Sequence, residues 1–259
     1  MFRLLAALLL FLLPTASFAL ERIVVLAPAA ADIIEQLGAA ELVVGKTRNV
    51  EEFPQATLVG SHIRPNLEII TSLRPDLLVI SSNKFFSKEM AEKVDAQLFH
   101  YRPNRLEEIL EQTRKLARLI KRDKQAHKLI EAQRQKLKQI SPIAVAPKVI
   151  YEITEVPLTI AGSENILADI IETGGGEFVS AGKRKMLRFN PEAVLALQPE
   201  IYIWQVGPMN QRPTPPSERG QYRLLKTNYL KVDQLQYSRA NTKSFDNVLE
   251  LNRHFKERQ

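Results

Sequence analysis

The sequence predicts an α/β protein of two similar lobes with mainly parallel sheets, joined by a single long backbone helix. Three observations predict it. One pattern is written twice: a shift of 124 residues carries Asn66, Glu68, Leu73 and Pro75 onto Asn190, Glu192, Leu197 and Pro199. In each copy the apolar residues first recur at helical spacing. Proline then stops the helix, and a continuous apolar run, Leu77–Ile80 or Ile201–Ile203, reads as a buried strand. A single repeat at about half the chain length implies two lobes, whereas a solenoid needs several short periods. The second observation is a succession of short apolar runs separated by helical patterns. The third is the stretch 106–140, which contains neither Gly nor Pro.

In chain order, Ile23-Val24-Val25-Leu26 is a buried strand turned at Pro28, and Ala29 to Leu37 is a helix closed by Gly38. Leu42-Val43-Val44-Gly45 is a second strand, and Pro54 to Gly60 a loop with a short strand. The first repeat copy follows. Ser81 to Phe86 then leaves the carboxyl end of a strand, where open α/β sheets bind ligands. Leu98 to Tyr101 is another strand, stopped at Pro103. Leu106, Ile109, Leu110, Thr113, Leu116, Ala117 and Ile120 form one apolar stripe of a helix. A bend at Lys121–Lys124, with Asp123 as cap, leads to a second helix ending before Pro142. Lys148 to Ile153 is a strand and Ile166 to Ile171 a helix stopped by Gly174-Gly175-Gly176. After the second copy, Gly207 to Gly220 is a long Pro-rich loop, either a lid or a slack insertion. Phe245 to Phe255 is a final helix.

Composition narrows the class. Met1-Phe2-Arg3, the apolar run from Leu4 to Leu13 and the small-residue exit at Ser17–Ala19 read as a secretory signal peptide over residues 1–19. The run is shorter than a membrane span requires. The first lobe is expected over 20–122, the connecting helix over 123–141 and the second lobe over 142–259. The chain has no Cys, which excludes a lipoprotein anchor, disulfides and thiolate metal sites. Export with solubility points to the periplasm. The net charge of +7 reads as a solvated basic surface drawing anionic ligands, with no nucleic acid as partner.

Chemistry-bearing motifs are sparse. Ala161-Gly162-Ser163-Glu164-Asn165 lacks the second glycine of a nucleophile elbow. The four histidines share no ligand spacing, so no metal site is expected. No catalytic residue and no cofactor is predicted, and the chain is expected not to be an enzyme. Glu68 and Glu192 each fall in the first turn of a helix, where an acid favours the helix dipole. Their duplication also suits docking on a two-fold partner that carries arginines.

The chain resembles the periplasmic solute-binding proteins of ABC importers for cobalamin, ferric siderophores and haem. The resemblance rests on Arg22 to Pro28, Leu37-Gly38-Ala39 with Val43-Val44-Gly45, and Val59-Gly60 leading into Pro65-Asn66-Leu67-Glu68. It continues through Leu73 to Leu77, Gly174-Gly175-Gly176-Glu177 and Asn190-Pro191-Glu192 to Glu200. It implies a carrier that captures a small-molecule metal chelate, a ferric siderophore foremost, or else cobalamin, haem or an oxyanion. A secreted α/β hydrolase is the rival. It implies delivery to an ABC permease dimer with its ATPase, met by salt bridges from Glu68 and Glu192, by a carrier that works as a monomer. It implies a ligand cleft between the lobes and places Pro28, Ala29, Asn83, Lys84, Phe85, Phe86, Tyr151, Glu152, Arg188, Phe189, Trp204 and Gln205 along it. Aromatic walls with a few polar and basic groups suit an anionic metal chelate. The chain departs from the family pattern at Ala29-Ala30-Ala31-Asp32, in the Gly207–Gly220 loop and at Tyr237-Ser238-Arg239.

Overall fold

The structure, a computed structural model, describes residues 20–180 and 182–258. The expected signal peptide lies outside the described residues. The first half contains β1 (Ile23–Val25), α1 (Ala29–Gln36), β2 (Val43–Lys46), β3 (Thr57–Leu58) and the short hairpin β4 (Gly60–Ser61) and β5 (Arg64–Pro65). It continues with α2 (Leu67–Ser72), β6 (Leu77–Ile80), α3 (Lys88–Val94), β7 (Gln97–His100) and α4 (Leu106–Leu119). The connecting helix is α5 (Asp123–Leu137). The second half contains β8 (Lys148–Thr154), β9 (Thr159–Ala161), α6 (Ile166–Thr173), β10 (Glu177–Phe178), β11 (Met186–Arg188), α7 (Pro191–Leu197), β12 (Ile201–Val206), β13 (Asn228–Asp233), α8 (Gln234–Tyr237) and α9 (Lys243–Lys256).

The first sheet has the order β3-β2-β1-β6-β7 and is parallel throughout. The second has the order β11-β9-β8-β12-β13, with β10 beside the start of β8. Its β8, β10, β12 and β13 are parallel, while β9 and β11 pair antiparallel. Each sheet belongs to one lobe.

The repeated stretch is repeated in three dimensions. Asn66 and Asn190 cap α2 and α7, their side-chain oxygens accepting from the amides of Ile69 (3.1 Å) and Ala193 (2.7 Å). Arg74 and Gln198 both take the left-handed conformation, at φ 45° and 46°, which ends the helix just before proline. The acid that follows proline then sets the strand register. Asp76 accepts from the amides of Glu21 and Arg22 at the head of β1, and Glu200 from that of Lys148 at the head of β8. The same two residues donate their own amides to the carbonyls of Arg22 and Lys148. Their carbonyls accept from Gln97 and Asn228, which start β7 and β13. The Asp and Glu of the repeat are thus clamps that align three strands in each lobe, β1-β6-β7 and β8-β12-β13.

Side-chain alternation divides each sheet between two cores. Ile23, Val25, Leu77 and Val79 of the first sheet, and Val149, Tyr151, Ile201 and Ile203 of the second, join one cluster shared by both lobes. That cluster also takes apolar residues from α1, α4, α5, α6 and α9. The opposite faces are private: Val24, Leu78, Ile80 and Phe86 in the first lobe, Ile150, Tyr202, Trp204 and Tyr222 in the second.

Three sequence expectations change. Asp123 lies in the first turn of α5 rather than capping it, because the bend at Lys121, where φ is 55°, starts the helix one residue early. Lys138–Ile140 turn off the helix instead of extending it. The strand β13 and the short α8 were not anticipated: Tyr229 to Asp233 mixes apolar and charged residues, and only pairing along β12 makes it a strand.

Candidate functional site

Reciprocal caps hold the two lobes together. Asp32, the fourth residue of α1, is buried and accepts from the amide (3.0 Å) and hydroxyl (2.7 Å) of Thr242, at the head of α9. Asp169, the fourth residue of α6, accepts from the amide of Leu106 (2.7 Å), at the head of α4, and pairs with Arg105 (3.2 Å). Each lobe therefore places a carboxylate on the positive end of a helix rooted in the other. Two further bonds cross the junction: the Tyr101 hydroxyl donates to the Ala240 carbonyl (2.9 Å), and the Arg239 guanidinium to the Asn49 carbonyl. Burial, and then the charge of Asp32, push the Tyr101 hydroxyl well above the usual phenol range, so it stays a donor.

These contacts put the carboxyl ends of β2 and β7 against segment 239–242. One mouth of the junction is a groove of about 600 Å³ lined by Glu35, Glu51 and Glu52 from the first lobe and Asp233, Arg239 and Lys243 from the second. On the first lobe, the His62 ring meets Phe85 edge-on at 6.0 Å, and the Lys84 ammonium lies 5.7 Å from the Phe85 ring centre. Burial, and then the Arg239 guanidinium, lower the His62 pKa. The His62 imidazole, the Phe85 ring and the Lys84 ammonium thus meet, with the Arg239 guanidinium of the second lobe near enough to act on the imidazole.

The residues expected along the cleft separate into groups. Pro28 and Ala29 are half-buried at the start of α1. Asn83 and Lys84 are exposed, Phe85 is half-buried and Phe86 enters the private core of the first lobe. Tyr151, Glu152 and Gln205 are wholly buried. The Tyr151 hydroxyl donates to the Gln205 side chain (3.1 Å), whose amide donates to the Ile153 carbonyl (3.0 Å). Glu152 receives the Tyr202 hydroxyl (2.5 Å) and two nitrogens of Arg219 (2.6 and 2.9 Å). Trp204 packs in the private core of the second lobe, with the Lys231 ammonium 5.9 Å from its ring centre. Arg188 is exposed on β11 and Phe189 half-buried against that same core.

Arg219 also reaches back along the Pro-rich loop, to the Thr214 carbonyl (2.6 Å) and Glu155 (3.3 Å). Burial works against its charge, but the hydrogen bonds and charge of Glu152 outweigh it, and its pKa is raised. The loop is therefore braced onto the second lobe. Glu68 and Glu192, by contrast, stand exposed on the first turns of α2 and α7. Sequence reasoning missed His62, Arg239 and Arg219. His62 shares no spacing with another histidine, and the only signal for Arg239 was a tail that fitted no pattern.

Among the described residues, no His or acidic cluster could hold a metal ion, and no helix is long and apolar enough to cross a membrane. Two α/β lobes joined by reciprocal caps define the class: a two-lobed binding-protein fold. The chain belongs to the periplasmic binding protein family, whose model matches residues 23–215. Solved structures agree on the fold. The periplasmic haem-binding protein HutB of Vibrio cholerae superposes with a TM-score of 0.79 at 18% identity, covering 90% of this chain and 98% of its own. Staphylococcus aureus IsdE, complexed with haem, gives 0.76 at 18% identity, with 90% and 98% covered. The periplasmic vitamin B12-binding protein BtuF of Vibrio cholerae gives 0.73 at 19% identity, with 93% and 98% covered. No curated protein matches the sequence.

Proposed function

We propose that the chain is the soluble periplasmic carrier of an ABC importer, that it captures a metal chelate between its lobes, and that it delivers the chelate to a permease dimer. The observation that carries this is the pair Glu68 and Glu192. Both are exposed, both lie on the first turn of an asparagine-capped helix, and the two occupy equivalent places in the lobes. Helix stabilisation alone needs no such equivalence; two carboxylates suit the arginines of a two-fold partner. The ligand proposed first is a ferric siderophore, held by Lys84, Arg239 and the Phe85 ring. A second ligand is favoured by one observation: His62 stands edge-on to Phe85 with its pKa lowered, which favours the neutral imidazole that a planar chelate with an open axial position takes.

Titration by native mass spectrometry against ferric hydroxamates, ferric catecholates, haemin and cyanocobalamin separates these. A one-to-one complex with a siderophore, undisturbed by His62→Ala, selects the first ligand. A haemin complex whose Soret band shifts in His62→Ala selects the second. For the carrier role, Glu68→Ala with Glu192→Ala should abolish uptake and leave ligand affinity unchanged. Loss of ligand affinity in that double variant would refute docking.

A further inference from the structure

The two docking helices have unlike surroundings. Glu192 and Leu195 are three residues apart in α7 and share one face. Leu195 opens onto a groove of about 590 Å³ whose lining is completed by Gln198, Leu224, Leu225 and Lys226. Leu224 is 85% exposed. It does not hang from slack chain. Arg219, clamped by Glu152, anchors the turn; Tyr222 is buried; and the amides of Tyr222 and Leu225 donate to the carbonyls of Arg219 and Tyr222 at 2.9 Å. A leucine is thus held out into solvent on a braced turn, beside the groove that Leu195 lines one helical turn from the docking carboxylate.

The equivalent positions of the first lobe are polar. The repeat shift puts Thr71 and Arg74 where the second lobe has Leu195 and Gln198, and the Thr71 hydroxyl is spent on the Leu67 carbonyl (2.9 Å). We infer that the groove beside α7 takes an apolar side chain from the periplasmic surface of the permease, next to the basic group that meets Glu192, so that the second lobe is the anchoring half of the complex. The occupant follows from continuity: groove and carboxylate lie on one face of one helix, so whatever covers Glu192 also covers Leu195 and Leu224. The inference rests on the docking role proposed above.

The test measures binding of the carrier to its permease–ATPase complex in nanodiscs by biolayer interferometry. Leu224→Gln should weaken docking about tenfold, as expected for losing one buried leucine contact. Its thermal midpoint and ligand affinity should stay at wild type, because the side chain is already solvated. Leu224→Met should dock normally, and Glu192→Ala should lose more affinity than Glu68→Ala. Docking of Leu224→Gln within twofold of wild type, with Glu192→Ala still impaired, overturns the groove and leaves the docking role standing. A Leu224→Met as weak as Leu224→Gln likewise overturns it. Equal losses for the two glutamates overturn the anchoring asymmetry. Normal docking by both alanine variants removes the docking role, and this inference with it.

Discussion

Replacing Arg219 by Met should unseat the Pro-rich loop at a cost that the structure fixes closely. The guanidinium and the Glu152 carboxylate are almost sealed, with side chains 3% and 0% exposed. Removing the cation strands a buried carboxylate whose remaining hydrogen-bond partner, among the described residues, is the Tyr202 hydroxyl. Breaking one side of a buried pair costs about 3–5 kcal/mol. In a chain of this size each kcal/mol lowers the midpoint by about 2–4 °C, so Arg219→Met should melt on the order of 10 °C below wild type. Glu152→Met with Arg219→Met removes both charges and should recover most of that loss, since an apolar pair of similar volume is often neutral. Circular dichroism melts at pH 7 measure both. Limited subtilisin digestion should nick residues 207–220 in the single variant before the rest of the chain. A single variant that melts within about 2 °C of wild type, or a double variant no better than the single, would refute the bracing role.

Two other outcomes follow from the junction. Asp32→Ala leaves the amide and hydroxyl of Thr242 without their acceptor in a buried place, which should cost about 3 kcal/mol. Hydrogen exchange should rise first at residues 240–244, and unchanged exchange there would contradict the cap. His62 has a lowered pKa in the folded chain, so folding releases its proton when the unfolded histidine would hold it. Its contribution is fully present above pH 6.5 and is lost as pH falls through the lowered value. His254 acts with the same sign, so urea midpoints should decline below pH 6.5, and His62→Gln should flatten that decline in part. An unaltered decline in His62→Gln would place the effect elsewhere.

The repeat could be found in the sequence because its residues act locally: an asparagine cap, a proline stop and a buried run each leave a short-range trace. Asp76 and Glu200 were visible as a matched pair, but their work of aligning strands depends on neighbours far along the chain. Asp32 shows the limit most clearly. It stood out only as a departure from the family pattern, and its partner is 210 residues away. Tyr151, Glu152 and Trp204 were expected along the ligand cleft, whereas the structure buries all three within the second lobe; which face each one serves depends on register, and the register is set by those distant clamps. Arg219 sat in a loop whose composition left a lid and a slack insertion equally open, and its meeting with Glu152 braces the loop.

The shared apolar cluster has a bearing on the order of events during folding. Phe245, Val248, Leu251 and Phe255, near the carboxyl end, belong to the same cluster as Ile23 and Val25 near the beginning. Until that last helix docks, the leading half carries an unclosed oily face. Closing the core is therefore a late, whole-chain event, and a chaperone that shields the unfolded chain would act on this face before α9 packs.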